Sequence, residues 1–97
     1  MSTQHLRNIT ISQLESFLEL ALCQYKGNEK GHCKYTRADL NRPIVFQNHI
    51  NPVPEFIIKN ILRLFPYSKE EFFEILNGSK VVERESQKVF QIKSAKK

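Results

Sequence analysis

The sequence has few cysteines and no long hydrophobic run, and these two absences exclude several classes of protein. Cys23 and Cys33 are the two cysteines in 97 residues, too few for the disulfide framework of small secreted domains. The apolar runs are short and interrupted by charge, and the stretch MSTQHLRNIT lacks the continuous apolar segment of a signal peptide or membrane span. We therefore expect a soluble, cytoplasmic protein whose two thiols are reduced and buried.

The chain is long enough for one small core, and its basic charge is concentrated at one end. With 97 residues and 40% hydrophobic content, we predict a single domain over residues 1–79. Residues 80–97 contain six Lys or Arg and two Glu, a net +4 out of the chain's +5. We expect a basic C-terminal tail that adds little to stability and for which disorder is one interpretation. The overall charge is therefore weak evidence for nucleic-acid binding.

The first part of the chain changes from a helical to a strand pattern. SQLE has capping-box spacing from Ser12, and apolar residues then recur at helical intervals, so we predict a helix over 13–22. CQYKGN and HCKYT alternate in polarity on either side of the turn-forming residues 27–31. This pattern predicts a β-hairpin.

A third strand and two helices follow. PIVFQN alternates and begins with Pro43, a residue tolerated at the start of a strand. Pro54 is placed to open a helix that Pro66 ends, and SKEE at Ser68 is a second capping box before a short helix ending at Gly78. We predict an α+β fold of order α-β-β-β-α-α, a three-stranded antiparallel sheet with helices on one face.

The alternation also predicts which side chains of the sheet are buried. Adjacent side chains of a strand point to opposite faces. The face under the helices should hold Cys23, Tyr25, Cys33, Tyr35, Ile44 and Phe46. The outer face should hold Gln24, Lys26, His32, Lys34, Thr36 and Gln47.

The outer face lies in a locally basic segment. Residues 26–42 contain five Lys or Arg against Glu29 and Asp39, a net +3 around His32. Such a cluster is suited to a chain of phosphates. A zinc site formed by the two cysteines and His32 is not expected, because His32 and Cys33 point to opposite faces. For the same reason we expect Cys33 not to act as a nucleophile, and we expect no metal or cofactor.

Four pieces of the sequence, in this order, resemble a known family. Residues 12–77 are similar to the HicA toxins, ribonucleases of bacterial toxin–antitoxin pairs. The four pieces are the first predicted helix, GHCKY, RPIVFQNHINPVPEFIIKNILRLF and SKEEFFEIL. Gly31, His32 and Tyr35 match the family motif, whereas Lys30 stands where a first glycine is usual. Phe65-Pro66 stands where a glycine is more common.

The resemblance implies a fold, an activity and partners. It implies a fold like that of double-stranded-RNA-binding domains, mRNA cleavage as an endoribonuclease (mRNA interferase), and neutralisation by a HicB-type antitoxin protein. It makes His32 the catalytic residue by position and His49 a secondary candidate. The helix bearing Lys59 and Arg63 would border the RNA.

The chemistry of RNA cleavage suits a histidine on a basic face. The 2′-hydroxyl is the nucleophile, so cleavage needs a base, an acid and positive charge near the phosphate. An imidazole serves as base or acid near neutral pH. The predicted RNA-binding residues are Lys26, Lys30, Lys34, Lys59 and Arg63. Two alternatives stay open: a non-catalytic RNA-binding module, and an inactive antitoxin-binding protein of the same fold.

Overall fold

The computed structural model describes residues 5–95; residues 1–4 and 96–97, at the ends of the predicted domain and tail, lie outside this range. None of the helices in the described part is long and apolar enough to span a membrane. The elements, in chain order, are α1 (Ile11–Leu20), β1 (Gln24–Glu29), β2 (His32–Thr36), β3 (Ile44–Gln47), α2 (Glu55–Leu62), α3 (Lys69–Asn77), β4 (Lys80–Ser86) and β5 (Val89–Ser94).

The predicted three-stranded antiparallel sheet and three helices are confirmed. The sheet has the order β1-β2-β3, and Cys33 of β2 lies opposite Phe46 of β3. Both residues are buried, as are Tyr35 and Ile44 on the same face. They share one core cluster with helical residues, among them Leu14, Phe17, Leu18, Ile58, Ile61, Phe72 and Ile75. The helices therefore cover one face of the sheet, which leaves the other face to solvent.

Helix α1 begins two residues earlier than predicted. Its capping box is formed by Thr10 and Gln13, whose side-chain and backbone groups bond reciprocally at 3.1 and 2.8 Å. Ser12 and Glu15 have the same spacing, so local sequence does not choose between the two boxes. A distant contact does: the Asn51 side-chain oxygen accepts from the Ile11 backbone N–H at 3.0 Å. That N–H is one of the donors that a helix leaves unpaired at its start.

The hairpin turn is tighter than predicted. It consists of Lys30 and Gly31, both with positive φ (55° and 82°), as the two-residue turns of twisted hairpins require. Strand β1 therefore continues through residues predicted to form the turn. Gly27, at φ 114°, lies at an irregularity where the register shifts between Tyr25 and Gly27.

The prediction that Tyr25 is buried is wrong, and Cys23 is only half-buried. Tyr25 is 56% exposed, although its ring lies 5.3 Å from that of Tyr35. β1 is an edge strand of the sheet, and Tyr25 lies next to the irregularity at Gly27. Its side chain therefore has a neighbouring strand on one side only. Cys23 lies between the turn after α1 and the start of the strand.

The C-terminal segment forms a hairpin rather than the tail outside the core that the sequence suggested. β4 pairs antiparallel with β5: Lys80 lies opposite Ser94 at one end, and Ser86 lies opposite Val89 at the other. Val82 is buried in the core cluster, and Phe90 and Ile92 pack against it. These few apolar residues are sufficient to pack the hairpin against the core, because they alternate along the strands and pairing places them on one side.

Val82→Ala should test whether this hairpin stabilises the domain. We expect it to lower the free energy of unfolding by about 2 kcal/mol, because it removes two methyl groups from a side chain that is only 6% exposed. The matched control is Val81→Ala, one residue away and 40% exposed, which should change stability by less than about 0.5 kcal/mol. Urea denaturation measures both. Equal, small effects would mean that the hairpin is not part of the cooperative core.

Arg37 is a buried cation, although the sequence counts it in the basic segment. Its guanidinium pairs with both carboxylate oxygens of Asp39 at 2.7 and 2.8 Å, and donates to the Tyr67 hydroxyl and the Ala21 carbonyl at 2.9 Å each. Its Cζ also lies 4.3 Å from the Phe90 ring centre. Burial alone would lower the pKa of Arg37, but the bonds to Asp39 and Tyr67 raise it. Arg37 thus joins the C-terminal hairpin to the rest of the fold.

Candidate functional site

His32 is exposed at the start of β2, as predicted. The following residue, Cys33, is buried, and exposure alternates along the strand through Lys34 and Tyr35. A register slip by one residue would bury His32 and Lys34 and expose the two apolar side chains, so the pattern is strongly specified. The imidazole therefore stands on the solvent side of the sheet.

Cross-strand neighbours surround His32 with polar groups. It lies opposite Glu29 on β1 and opposite Gln47 on β3. The His32 and Gln47 side chains approach at 3.5 Å between their Nε2 atoms, the long limit of a hydrogen bond. A contact of this length holds the ring only weakly. The imidazole remains available to a ligand.

A basic cavity of about 590 Å³ opens on one side of His32. Its charged side chains are Lys26, Lys30 and Lys34 against Glu29, so three positive charges face one negative charge. Within residues 5–95, none of these three lysines forms an ion pair. We call this the basic cavity. The remaining lining residues are Gly27, Asn28, His32 and Val45.

An apolar cavity of about 330 Å³ opens on the other side of His32. Phe56, at the start of α2, is 63% exposed there, and Val45 and Ile50 are also exposed. His32 and Val45 line both cavities, so the two are neighbours. We call this one the apolar cavity. Its remaining lining residues are Phe46, Gln47, Val53, Pro54 and Ile57.

His49 lies beside Gly31, outside both cavities. A Cβ at Gly31 would stand 3.4 Å from His49 Nδ1, and the Gly31 carbonyl accepts from the Asn48 N–H at 2.9 Å. With φ at 82°, position 31 has a backbone conformation that favours glycine. The structure thus brings Gly31, His32 and His49 to one end of the sheet, with only His32 facing the cavities.

Tyr35, the aromatic residue of the motif, belongs to the core. It is buried and stacks on Phe46, with 6.0 Å between ring centres and 11° between ring planes. Burial, followed by the nearby Glu15 charge, raises the pKa of Tyr35 to about 12. Its role in the site is to hold β2 against β3. It does not reach the exposed face.

Lys59 and Arg63 lie apart from the two cavities at His32. They line a different cavity, together with Leu6, Leu62, Tyr67 and Lys69. Lys59 pairs with Glu55 at 3.5 Å and Arg63 donates to Asn60 at 3.1 Å. Both side chains are exposed, as predicted. The structure therefore groups Lys26, Lys30 and Lys34 with His32 and leaves these two on a separate surface.

The two thiols are unsuited to nucleophilic chemistry. Burial raises the pKa of Cys33, and burial raises that of Cys23 to about 11, so both remain protonated at neutral pH. Cys33 faces the core, as predicted. Among residues 5–95, no three His, Cys, Asp or Glu side chains are grouped so as to hold a metal ion. Histidine is the side chain that enzymes most often use for proton transfer, so His32 is the candidate for that role at this site.

Comparisons with models of protein families, with curated proteins and with solved structures found no match to this chain. A proposal on function therefore depends on the geometry around His32 and on the sequence pattern over residues 12–77. Sequence reasoning identified the basic side of the site. It missed the apolar side, whose signal was two large apolar residues: Ile50 in the loop before α2, and Phe56 off the core face of α2.

Proposed function

We propose that this chain is a HicA-like toxin, a cytoplasmic ribonuclease that cleaves mRNA and is neutralised by a HicB-type antitoxin. The observation that carries the proposal is the position of His32, exposed at the border of a cavity with three lysines. The antiparallel sheet with helices on one face supports a fold like that of double-stranded-RNA-binding domains. The motif residues Gly31 and Tyr35 support the same proposal, since Gly31 forms the hairpin turn before His32 and Tyr35 anchors the same strand in the core.

Cleavage would use the RNA's own nucleophile. The 2′-oxygen attacks the adjacent phosphorus, the new P–O2′ bond forms, and the P–O5′ bond breaks. A base takes the 2′-hydroxyl proton and an acid protonates the leaving 5′-oxygen. His32 supplies one of these two transfers, and Lys26 and Lys34 offset the charge that develops on the phosphoryl oxygens. With a single histidine in the site, the second transfer falls to a lysine or water, so the enzyme should be slow.

The two alternative functions differ from the ribonuclease in measurable ways. A toxin arrests growth when it is expressed without its antitoxin, and the purified chain shortens labelled RNA. A non-catalytic RNA-binding module binds RNA without shortening it. An inactive antitoxin-binding protein does neither and still binds the antitoxin. Growth and RNA integrity therefore separate the toxin from the other two, and RNA binding by the purified chain separates these two from each other.

Lys34→Gln should weaken RNA binding if the basic cavity receives the phosphates. On RNA with methylated 2′-hydroxyls, which binds without being cut, we expect roughly a tenfold loss of affinity, the equivalent of about 1.4 kcal/mol for one charge-assisted contact. The slope of log affinity against log salt should also become shallower by roughly 1. Fluorescence anisotropy at several salt concentrations measures both quantities.

Lys59→Gln is the matched control, since Lys59 is an exposed lysine on the separate surface and is paired with Glu55. Its affinity and salt slope should stay close to those of the wild type. If Lys59→Gln weakens binding and Lys34→Gln does not, RNA occupies the α2 surface. That result would remove the basic cavity from the proposed site.

A further inference from the structure

The apolar cavity beside His32 has no role in the chemistry described above. Proton transfer and charge neutralisation need only the imidazole and the lysines. Yet Val45, Ile50 and Phe56 expose apolar surface directly next to them. A ribonuclease that bound only phosphates would have no use for this surface.

We propose that the apolar cavity is a subsite for one unpaired nucleobase, stacked on Phe56, of an RNA strand whose phosphates lie in the basic cavity. This inference rests on the proposed function. Its first support is adjacency: His32 and Val45 line both cavities, so a base on one side and its phosphates on the other would place the sugar-phosphate link at the imidazole. The charge of the basic cavity matches a phosphate chain.

The composition of the apolar cavity suits a base. An exposed phenylalanine offers a flat face, and base–aromatic stacking is the usual way in which proteins hold single-stranded nucleic acid. Gln47 also lines this cavity, and within residues 5–95 its amide makes only the 3.5 Å contact with His32. It can therefore donate to and accept from a base edge. At about 330 Å³ the cavity falls in the range of small-ligand sites, roughly 300–1,000 Å³.

The subsite has a consequence for the substrate. In an A-form duplex the base faces are stacked on each other, and only the edges are accessible in the grooves. A base can stack on Phe56 only when it is unpaired. The chain should thus bind and cut single-stranded segments in preference to duplex RNA, although the sheet and helices suggest a duplex-binding fold.

The test uses the full chain and an RNA oligonucleotide with methylated 2′-hydroxyls and one 2-aminopurine, single-stranded or annealed to its complement. We expect the wild type to bind the single strand about tenfold or more tightly than the duplex. The 2-aminopurine fluorescence should fall on binding, because stacking quenches it. Phe56→Ala should weaken single-strand binding roughly tenfold and abolish the quenching. Its salt slope should match the wild type, because the phosphate contacts remain.

Two further variants control for general effects. Phe56→Tyr keeps an aromatic face and should retain both affinity and quenching. Leu20→Ala removes another exposed apolar side chain, 46% exposed on α1 and outside both cavities. It should change neither the affinity nor the quenching. If Phe56→Ala binds the single strand as well as the wild type, or if the duplex binds equally well, the subsite does not exist.

Cleavage of unmodified RNA separates this inference from the proposed function. If wild type and Phe56→Ala cut and bind RNA equally, the subsite is overturned and the ribonuclease stands. If the wild type neither binds nor cuts RNA, both proposals fall. If Phe56→Ala changes only self-association or binding to a protein partner, the apolar cavity is a protein interface and the base subsite is overturned.

Discussion

His32→Ala is expected to abolish RNA cleavage and toxicity while leaving the fold intact. His32 is an exposed side chain on a strand, with one long contact to Gln47, so its loss should change stability by less than about 0.5 kcal/mol. Loss of a general acid or base slows a reaction by roughly 100-fold or more. RNA affinity should fall much less, because the lysines of the basic cavity remain.

The measurement is growth and messenger-RNA integrity in cells that lack the antitoxin, with soluble protein levels confirmed as equal. His49→Ala is the matched control, since His49 is also exposed and lies beside Gly31 but outside both cavities. It should remain toxic if His32 alone carries the proton. A His32→Ala protein that still arrests growth and degrades RNA would show that His32 is not the catalyst. Activity lost only in His49→Ala would move the proton transfer to the loop after β3.

Arg37→Ala is expected to have the largest effect on stability, a loss of about 3–5 kcal/mol in the free energy of unfolding. The substitution leaves the Tyr67 hydroxyl and the Ala21 carbonyl without their charged donor and leaves Asp39 unpaired. It also removes the planar group that lies over the Phe90 ring. Since the whole free energy of unfolding of a native protein is about 5–15 kcal/mol, this loss would be a large part of the total.

Arg37→Lys should recover only part of this loss, because one ammonium cannot reproduce the two-pronged pairing and the ring contact. Arg63→Ala is the control: that side chain is exposed and has one bond to Asn60, so we expect a change of less than about 0.5 kcal/mol. Thermal and urea unfolding measure all three. If Arg37→Ala is as stable as the control, the buried cation does not hold the C-terminal hairpin to the domain.

Short-range patterns determined most of the secondary structure. As predicted, the Ser68–Glu71 capping box begins α3 and Gly78 ends it, because capping depends on residues three or four apart. The alternation of β2 and β3 correctly assigned Cys33 and Phe46 to the core, since successive side chains of a strand must point to opposite faces. The same rule placed His32 on the solvent side.

Long-range contacts decided the features on which the sequence was wrong. Arg37 looks like a surface base in the sequence, and its burial depends on Asp39, Tyr67 and Phe90, which lie 2, 30 and 53 positions away. The alternation along β1 places Tyr25 on the core face, but the residue lies on an edge strand beside an irregularity and is exposed. No local pattern carries this information, because burial depends on what packs against a residue.

The candidate site divides in the same way. The sequence by itself determined the basic side, since His32 and Lys34 alternate on one strand and Lys26 lies on the strand paired with it through a tight turn. Only the tertiary structure decided the apolar side, because Phe56 of α2 and Ile50 of the preceding loop must fold back beside Val45 of β3 to form a cavity. Strand alternation fixes direction over two residues, whereas a cavity exists only where separate elements meet.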